Sequence, residues 1–434
     1  MQAMDRTRAG SVRPCTLSVL SGLIILVSTC LGWWATPAAA APDPLFPAFV
    51  ESVWPEARAA GVSRQTFDRA FRGVEPDLGL PDLVLPGRPA DGSQGQAEFT
   101  RPPQDYVARG QMIQLATQGQ ALKARHAATL AEVERQLSVD GPVVLAIWGR
   151  ETAYGAHRSP HYAIRVLATQ AYTGRRKEMF RAELIAGLRL LQDGTLTVET
   201  MRSSWAGAMG LTQFMPTEFY NAGHDLDRDG RIDLFNSVPD ALGSAAKQLQ
   251  QKGWIKGLPW GFEVRTGPVQ AAPAADCAHE GPVNARSLAD WMKLGVVRAD
   301  GIPFPAAYLS YTAYMMSPGG SFGPQFLVTD NFKVLRAYNT SDLYALFVGH
   351  LADRIAGAGD FRAPWALIKQ LAPKDIGEVQ QRLKDRGFAM DKIDGKIGSN
   401  TRWQIGLYQR TAGLPVDCWP TERLLTDLRR VGGR

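Results

Sequence analysis

Apolar residues recur along most of the chain at the three- to four-residue spacing of amphipathic helices. This spacing predicts helices over residues 44–71, 106–137, 142–154, 180–191, 240–252, 285–294 and 341–356. Residues 262–282 are instead typical of short strands and loops, and a polar, glycine-containing stretch at 225–233 interrupts the helical pattern. The chain is therefore expected to be mainly α-helical, with a small strand-containing part.

A chain of 434 residues is too long to fold around one ordinary hydrophobic core, so more than one domain is expected. The pattern predicts a first domain over residues 44–357, a linker over 358–374 and a compact unit over 375–430.

The N-terminus has the order of a secretory signal. Arg6, Arg8 and Arg13 precede an apolar run at 17–34, and small residues follow at 38–41. This order predicts a signal peptide over residues 1–40 and export to the periplasm. An uncleaved anchoring helix and a lipoprotein attached at Cys30 remain alternatives.

Two of the four cysteines, Cys15 and Cys30, would leave with that signal. Cys277 and Cys418 remain and fall in different predicted units. Export permits a disulfide between them but does not demand one, and the sequence favours two unpaired thiols.

Composition and charge narrow the class of partner. The chain is 45% hydrophobic and 21% charged, as soluble globular proteins are, and its formal net charge is +6. A positive balance suits an acidic wall polymer, a membrane surface or a nucleic acid. No basic block is interleaved with aromatic residues, so we expect no nucleic-acid partner.

A carboxylate lies on an apolar helix face in the segment 141–155. Val144, Ile147, Trp148 and Glu151 share one face of the predicted helix, which places Glu151 beside an indole ring. Desolvation raises a carboxyl pKa, as a general acid near neutral pH requires. Spacing alone also allows a glutamate that reaches solvent or pairs with Arg150.

The surrounding motifs resemble the membrane-bound lytic murein transglycosylase B family. The similarity rests on Ala146-Ile-Trp-Gly-Arg-Glu-Thr-Ala-Tyr-Gly155, on Ser204-Trp-Ala-Gly-Ala-Met-Gly-Leu-Thr-Gln-Phe-Met-Pro216 and on the motifs at 225–240 and 331–344, in that order. It implies a lysozyme-like, α-rich catalytic domain. It also implies a lytic transglycosylase that cleaves the β-1,4 bond between N-acetylmuramic acid and N-acetylglucosamine in peptidoglycan, leaving a 1,6-anhydromuramic end.

The resemblance further implies roles for single residues. Glu151 would be the only catalytic acid and base. The implied substrate-binding residues are Ser204, Gln213, Tyr338, Asn339, Tyr344, Tyr106, Arg175 and Arg176. The alternatives are core packing for the aromatic residues and a solvated helix start for the arginine pair.

The stretch 225–233 has the oxygen spacing of an EF-hand-like loop. Asp225, Asp227 and Asp229 occupy positions 1, 3 and 5, and Gly230 occupies the turn position. We expect structural Ca²⁺, with further ligands from the Arg231 carbonyl and from Asp240, the candidate that the family pattern implies in place of the usual terminal glutamate. A solvated acidic turn is the alternative, and no organic cofactor is expected.

The C-terminal unit resembles a three-helix peptidoglycan-binding domain. The similarity rests on Ile376-Gly-Glu-Val-Gln-Gln-Arg-Leu-Lys-Asp-Arg-Gly-Phe388 and on Ile393-Asp-Gly-Lys-Ile-Gly398. Such a module would hold the enzyme on glycan strands of the sacculus. A chain truncated near Gly359 would then keep its activity on small soluble oligomers. A helical docking or dimerisation unit is the alternative.

Two other functions remain open from the sequence. One is a hydrolase on the same fold, of the lysozyme or chitinase type, and the other is a non-catalytic wall-binding or assembly protein. The set Glu151, Ser204 and Gln213 argues against the second. Partners among wall-synthesis or secretion proteins, and exo or endo action, are not decided by the sequence.

Overall fold

The computed structural model describes residues 43–86, 101–266 and 285–430, and the predicted signal peptide lies outside these ranges. The helices before the sheet are α1 Phe46–Ala59, α2 Arg64–Phe71, α3 Pro103–Tyr106, α4 Arg109–Arg125, α5 Ala127–Leu137, α6 Gly141–Thr152, α7 Ala163–Thr173, α8 Lys177–Gln192, α9 Pro216–Ala222 and α10 Val238–Gln251. Those that follow are α11 Leu288–Lys293, α12 Asp330–Tyr338, α13 Asp342–Ala356, α14 Pro373–Asp385, α15 Ser399–Thr411 and α16 Glu422–Arg430.

The mainly helical class is confirmed, with two differences in how the helices are divided. The predicted helix over 106–137 is two helices, because the backbone leaves the helical region at His126, with φ −104° and ψ 26°. The predicted helix over 44–71 is likewise broken, at Gly61, where φ is +89°.

A small antiparallel sheet accounts for the strand content. Its strand order is β4-β6-β7-β3-β5, built from β3 Gly261–Thr266, β4 Arg286–Ser287, β5 Val296–Arg298, β6 Thr312–Met316 and β7 Gln325–Val328. The sequence placed strands only at 262–282, of which residues 267–282 lie outside the described residues. The strands β5, β6 and β7 were missed because each has only three to five residues, too few to establish an alternating pattern. A second, two-stranded sheet pairs β1 His161–Tyr162 with β2 Arg202–Ser203.

Two hydrophobic cores meet at α10, which contributes Leu242 to one and Ala245 to the other. Helices α4, α5, α6 and α13 also contribute to the first core, and α1, α2, α7 and α8 to the second. The aromatic ring of Tyr338 packs against both cores. The sheet and the C-terminal helices have smaller cores of their own.

The segment predicted as a linker is packed against the protein. Phe361 lies against His350 and Phe326, with ring centroids 3.8 and 5.0 Å apart. The Glu263 carboxylate accepts hydrogen bonds from the backbone N–H groups of Arg362 and Ala363 at 2.7 and 2.6 Å. The described residues accordingly belong to one compact unit.

Cys418 is disulfide-bonded and buried. The expectation of an unpaired thiol was therefore wrong for this residue. The other three cysteines lie outside the described residues. The spacing of cysteines along a sequence does not show which of them come close enough in the fold to form a disulfide. Across the described part of the chain, no helix has both the length and the apolar character needed to cross a membrane.

Candidate active site

Helix α6 is buried along most of its length and carries Glu151 near its C-terminal end. Val144, Ile147 and Trp148 are buried, and Glu151 is half-buried, as the spacing predicted. The helix is apolar nearly all round from Val143 to Gly149, which is typical of a helix covered on every side.

The chain turns sharply after α6, two residues earlier than predicted. Ala153, Tyr154 and Gly155 all have left-handed backbone conformations. The turn brings the Tyr154 ring back against the helix, where its hydroxyl donates to the Leu115 carbonyl at 2.9 Å. A Cβ on Gly149 would lie 2.7 Å from this ring, so the close approach requires glycine. The end of α6, and with it Glu151, is fixed by this packing.

Tyr344 contacts the candidate acid directly. Its hydroxyl donates a hydrogen bond to Glu151 Oε1 at 2.6 Å, from the first turn of α13. Burial, followed by the charge of Glu151, raises the pKa of Tyr344 well above its ordinary value. The phenol therefore keeps its proton and remains a donor.

Tyr338 lies behind Tyr344, with nearly parallel rings 6.2 Å apart. Its hydroxyl donates to the Thr212 carbonyl at 2.7 Å. Burial of this hydroxyl, and then the charge of Glu151, raises its pKa as well. Asn339 follows at the end of α12 and is half-buried.

The segment 204–214 contacts the site through Thr212, whose carbonyl accepts the hydrogen bond from Tyr338. Gln213 has a left-handed backbone, with φ +56°, and its side-chain amide donates to the Gly210 carbonyl at 2.9 Å. Ser204 Oγ accepts from the backbone N–H of Ala208 at 3.2 Å, which holds the turn of this segment. Thr152 Oγ1 donates to the Leu211 carbonyl at 2.8 Å and so ties the segment to the end of α6.

These contacts bring Glu151, Tyr344, Tyr338 and the segment carrying Gln213 to one place. Tyr106 contacts a different residue of α6, Arg150. It is buried in the core, and its hydroxyl accepts a hydrogen bond from Arg150 Nε at 3.1 Å. The Arg150 guanidinium also lies over the Tyr106 and Phe347 rings, at 4.7 and 5.0 Å from their centroids.

Arg175 and Arg176 form an exposed basic pair at the start of α8. Both face Asp82, at 3.2 and 3.5 Å. They line an open cavity of about 490 Å³ together with Val84 and Met179. An anionic group could approach this cavity from solvent.

The acidic loop brings three of its carboxylates close together. Asp225, Asp227 and Asp229 can each present one oxygen so that all three lie within 4.8 Å of one another. Three carboxylates this close favour a hard cation. Arg231 is exposed beside them, and its N–H donates to Asp229 at 2.9 Å.

Asp240 lies in the first turn of α10, directly after the loop. It is buried, and its two oxygens accept from the backbone N–H groups of Leu226 and Asp233 at 3.0 and 2.9 Å. It therefore holds the backbone at both ends of the loop, while the close group of oxygens comes from the half-buried Asp225 and the exposed Asp227 and Asp229. The Leu234 carbonyl at the end of this loop accepts from Leu211 N–H at 2.8 Å, which links the loop to the segment carrying Gln213.

The sequence reasoning missed Thr212, Thr152 and Asp342. Thr212 acts through its backbone carbonyl and Thr152 through its hydroxyl group. The residue type alone does not predict either contact. Asp342 is buried directly after the N-cap Ser341, and an acid at this position is so common in helices that nothing marked it as special.

Comparison with known proteins gives two family matches. The family described as Transglycosylase SLT domain matches residues 45–353, and a peptidoglycan binding domain family matches residues 373–426. The membrane-bound lytic murein transglycosylase B of Escherichia coli (strain K12) is 29% identical over 228 residues, which are 49% of this chain and 56% of that protein. The aligned part thus spans little more than half of that relative.

Two crystal structures of SltB3 from Pseudomonas aeruginosa are similar over more of the chain. Each is 40% identical and covers 89% of this chain and 100% of the SltB3 chain. One contains NAG-anhNAM-pentapeptide, with a TM-score of 0.79, and the other NAG-NAM-pentapeptide, with a TM-score of 0.80. The soluble lytic transglycosylase SltB1 of the same organism is 26% identical, with a TM-score of 0.57, and covers 71% of this chain and 98% of its own.

Proposed function

The chain belongs to the transglycosylase SLT domain family, and from this premise we propose that it is a lytic transglycosylase of peptidoglycan. Its substrate is the β-1,4 bond between N-acetylmuramic acid and N-acetylglucosamine. The observation that carries the proposal is the 2.6 Å hydrogen bond from Tyr344 to Glu151, because it orients a half-buried carboxyl at the family motif.

The reaction has two proton transfers through one residue. The Glu151 carboxyl gives its proton to the glycosidic oxygen as the bond from this oxygen to muramic C1 breaks. The substrate's N-acetyl group assists at C1, and its 6-hydroxyl then attacks this carbon. The hydroxyl proton returns to Glu151, so no water is consumed and a 1,6-anhydro ring forms.

The arrangement of nearby carboxylates favours this route over hydrolysis. An ordinary glycoside hydrolase uses a second carboxyl group as nucleophile or as base for water. Glu183 is buried, and its oxygens accept from Thr217 N–H and Oγ1 at 2.9 and 2.6 Å. Glu218 accepts from Gln248 at 2.9 Å. Both carboxylates have structural partners, which supports Glu151 as the single acid and base.

The products decide between the two reactions. Purified sacculi are digested, and the soluble fragments are separated by chromatography. Their masses are measured by mass spectrometry before and after treatment with borohydride. We expect fragments one water lighter than hydrolysis products, with muramic ends that borohydride leaves unchanged. Mainly reducible, hydrated ends would instead identify a lysozyme-type hydrolase, and no release of fragments would favour a non-catalytic wall-binding protein.

We further propose that Asp225, Asp227 and Asp229 hold a structural calcium ion. The ion would offset the mutual repulsion of three carboxylates and stiffen the loop that supports Leu211 through Leu234. Asp240 would contribute by fixing the loop backbone. Calcium takes no part in the bond cleavage in this proposal.

The location and the binding module complete the proposal. A cell-wall substrate is consistent with an extracytoplasmic enzyme, and we propose that residues 1–40 export it to the periplasm. Residues 373–426 would bind the same polymer that the catalytic domain cleaves. Ser204, Gln213 and Asn339 would contact the sugars beside Glu151, and Arg175 and Arg176 an anionic stem peptide.

A further inference from the structure

A buried ion pair joins the C-terminal module to the catalytic domain. Arg402, on α15 of the module, is 4% exposed, and Asp342, on α13 of the catalytic domain, is 8% exposed. Arg402 Nη2 donates to Asp342 Oδ2 at 3.0 Å, and Ser399 Oγ of the module donates to the same oxygen at 2.5 Å.

On the catalytic side, Asp342 stands where two helices of the active site meet. It is the first residue of α13, two positions before Tyr344. Its Oδ1 lies 2.7 Å from Nε of Arg336, which is two positions before Tyr338 on α12. One carboxylate is therefore in contact with the ends of both helices whose tyrosines stack beside Glu151.

A buried carboxylate of this kind depends strongly on its partners. Burial disfavours its charged form, and leaving it without a partner is far more costly than keeping the pair. Here Arg402 and Arg336 outweigh burial and hold the pKa of Asp342 below its ordinary value. Loss of Arg402 would leave this charge poorly compensated, and the start of α13 would shift to reach solvent or another donor.

The module is docked on several sides, so the ion pair is not an isolated contact. Ser321 N–H donates to the Asp417 carbonyl at 3.0 Å. On the segment before the module, Ala366 N–H donates to the Phe322 carbonyl at 2.8 Å, and Gln104 donates to the Ile368 carbonyl at 3.2 Å. These contacts keep α15 in place relative to α13.

We propose that Arg402 is a positioning residue for catalysis: through Asp342 it fixes the start of α13, and so holds Tyr344 against the Glu151 carboxyl. The peptidoglycan-binding module is then part of the catalytic apparatus as well as a substrate-binding unit. The inference rests on the proposed role of Glu151 as acid and base.

The first experiment separates catalysis from substrate binding. Full-length wild type, Arg402→Met, Arg402→Lys and Glu422→Gln are assayed on soluble glycan oligomers. Glu422 is a matched control, because it forms an exposed ion pair with Lys369 before the module, at 2.7 Å, so its replacement removes a charged partner at the surface instead of a buried one. We expect Arg402→Met to lower kcat by about 10- to 100-fold, since small misplacements of catalytic groups have effects of this size. KM should change little, Arg402→Lys should recover part of kcat, and Glu422→Gln should match wild type.

A double-mutant cycle tests whether the loss passes through Tyr344. In a Tyr344→Phe background the contact to Glu151 is already absent, so Arg402→Met should cause little further loss of kcat. Losses that multiply independently would overturn the proposal. An Arg402→Met enzyme with wild-type kcat would overturn it as well.

Melting curves accompany every variant, since Arg402→Met could fail to fold. In that case Asp342→Asn, which keeps the shape and removes the buried charge, takes its place. A lowered kcat with unchanged KM supports the proposal, and wild-type kcat overturns it. Failure of the underlying function is recognised separately, because the wild-type enzyme would then release no anhydro products.

Discussion

Glu151 receives its hydrogen bond from a phenol that keeps its proton at any ordinary pH, because burial raises the pKa of Tyr344. Tyr344 can therefore donate its hydrogen bond to Glu151 both when the carboxyl is protonated and when it is ionised. This fits a residue that first gives and later recovers a proton.

Replacing Glu151 with glutamine removes the transferable proton while retaining the shape and the contact with Tyr344. We expect kcat on peptidoglycan to fall by at least about 10²–10⁴-fold, with little change in the melting temperature. Glu199→Gln is a suitable control, because Glu199 is exposed in the loop before β2. Clearing of a peptidoglycan suspension by Glu151→Gln at the wild-type rate would contradict the assignment.

The half-buried Asp353 and the buried His350, both on α13, respond to pH in opposite ways. Burial raises the pKa of Asp353 to about 7, although its carboxylate accepts from Trp260 Nε1 at 2.8 Å, and burial lowers the pKa of His350 to about 3. Because its folded pKa is raised, Asp353 contributes stability that is present at low pH and lost as pH rises through about 7. The depressed pKa of His350 has the opposite effect, with stability lost as pH falls below its ordinary value of 6.5.

A comparison with Asp353→Asn isolates the first of these effects. The free energy of unfolding of this variant, relative to wild type, should increase between about pH 4 and pH 7, by an amount on the order of a few kcal/mol. Urea unfolding at a series of pH values measures it. A constant difference across this range would mean that Asp353 does not titrate as described.

At this scale the sequence predicted that Glu151 lies on an apolar helix face, but not which side chains contact it. The spacing of Val144, Ile147 and Trp148 was enough to place Glu151 on a buried face. The donor role of Tyr344 and the ring stack with Tyr338 depend on how α12 and α13 meet α6, which no local pattern contains. Tyr106, expected at the sugar, is buried against Arg150 instead.

At the scale of elements, the end of α6 depends on a contact between glycine and tyrosine. Gly149→Ala should lower the free energy of unfolding by about 1–3 kcal/mol, because the new Cβ would overlap the Tyr154 ring. Gly110→Ala is the matched control on α4, since nothing lies within 4 Å of its Cβ position. This control should be neutral or stabilising by up to about 1 kcal/mol. Equal effects in chemical denaturation would show that the contact does not constrain α6.

The acidic loop gives a second prediction for an element. If calcium binds the folded loop, the melting temperature should rise with calcium concentration. Asp225→Ala and Asp229→Ala should abolish the response, while Asp68→Ala, which alters an exposed acid on α2, should retain it. Identical wild-type melting curves in calcium and in chelator would identify the loop as an acidic turn.

Prediction of the elements succeeded where the periodic signal was long. Helices α6, α8, α10 and α13 extend over twelve or more residues and were located to within a few positions. The strands of the sheet are held by pairing between distant segments, such as Gly261 with Val328, and their short sequences carry no comparable signal. The break between α4 and α5 at His126 was also missed, because no glycine or proline marks it in the sequence.

At the scale of the whole molecule, the order of catalytic domain, connecting segment and module was visible in the sequence, whereas their docking was not. A module expected to act as a tethered binding unit shares a buried ion pair with the catalytic domain. Contacts of this kind join residues sixty positions apart and leave no local trace.

Truncation after residue 360 tests the consequence of docking. The contacts favour an outcome opposite to the one expected for a flexible tether. The truncated chain should melt at a lower temperature than the full chain, because Asp342 would lose Arg402 and Leu343 would lose cover. Its kcat on soluble oligomers should fall as well, and its binding to sacculi should weaken. A truncated enzyme with full activity on soluble oligomers and an unchanged melting temperature would support the flexible tether.

The pair formed by Arg402 and Asp342 also restricts how this protein can change over evolutionary time. Replacing Arg402 first would leave Asp342 with Arg336 and Ser399 but without one of its two cations, and replacing Asp342 first would leave the buried Arg402 without its carboxylate, so substitutions at the two positions should tend to arrive together. A binding module exchanged from another wall enzyme would have to bring a cation to the same place on its second helix. Recombination between such enzymes is thus limited by one salt bridge, even though each domain has a hydrophobic core of its own.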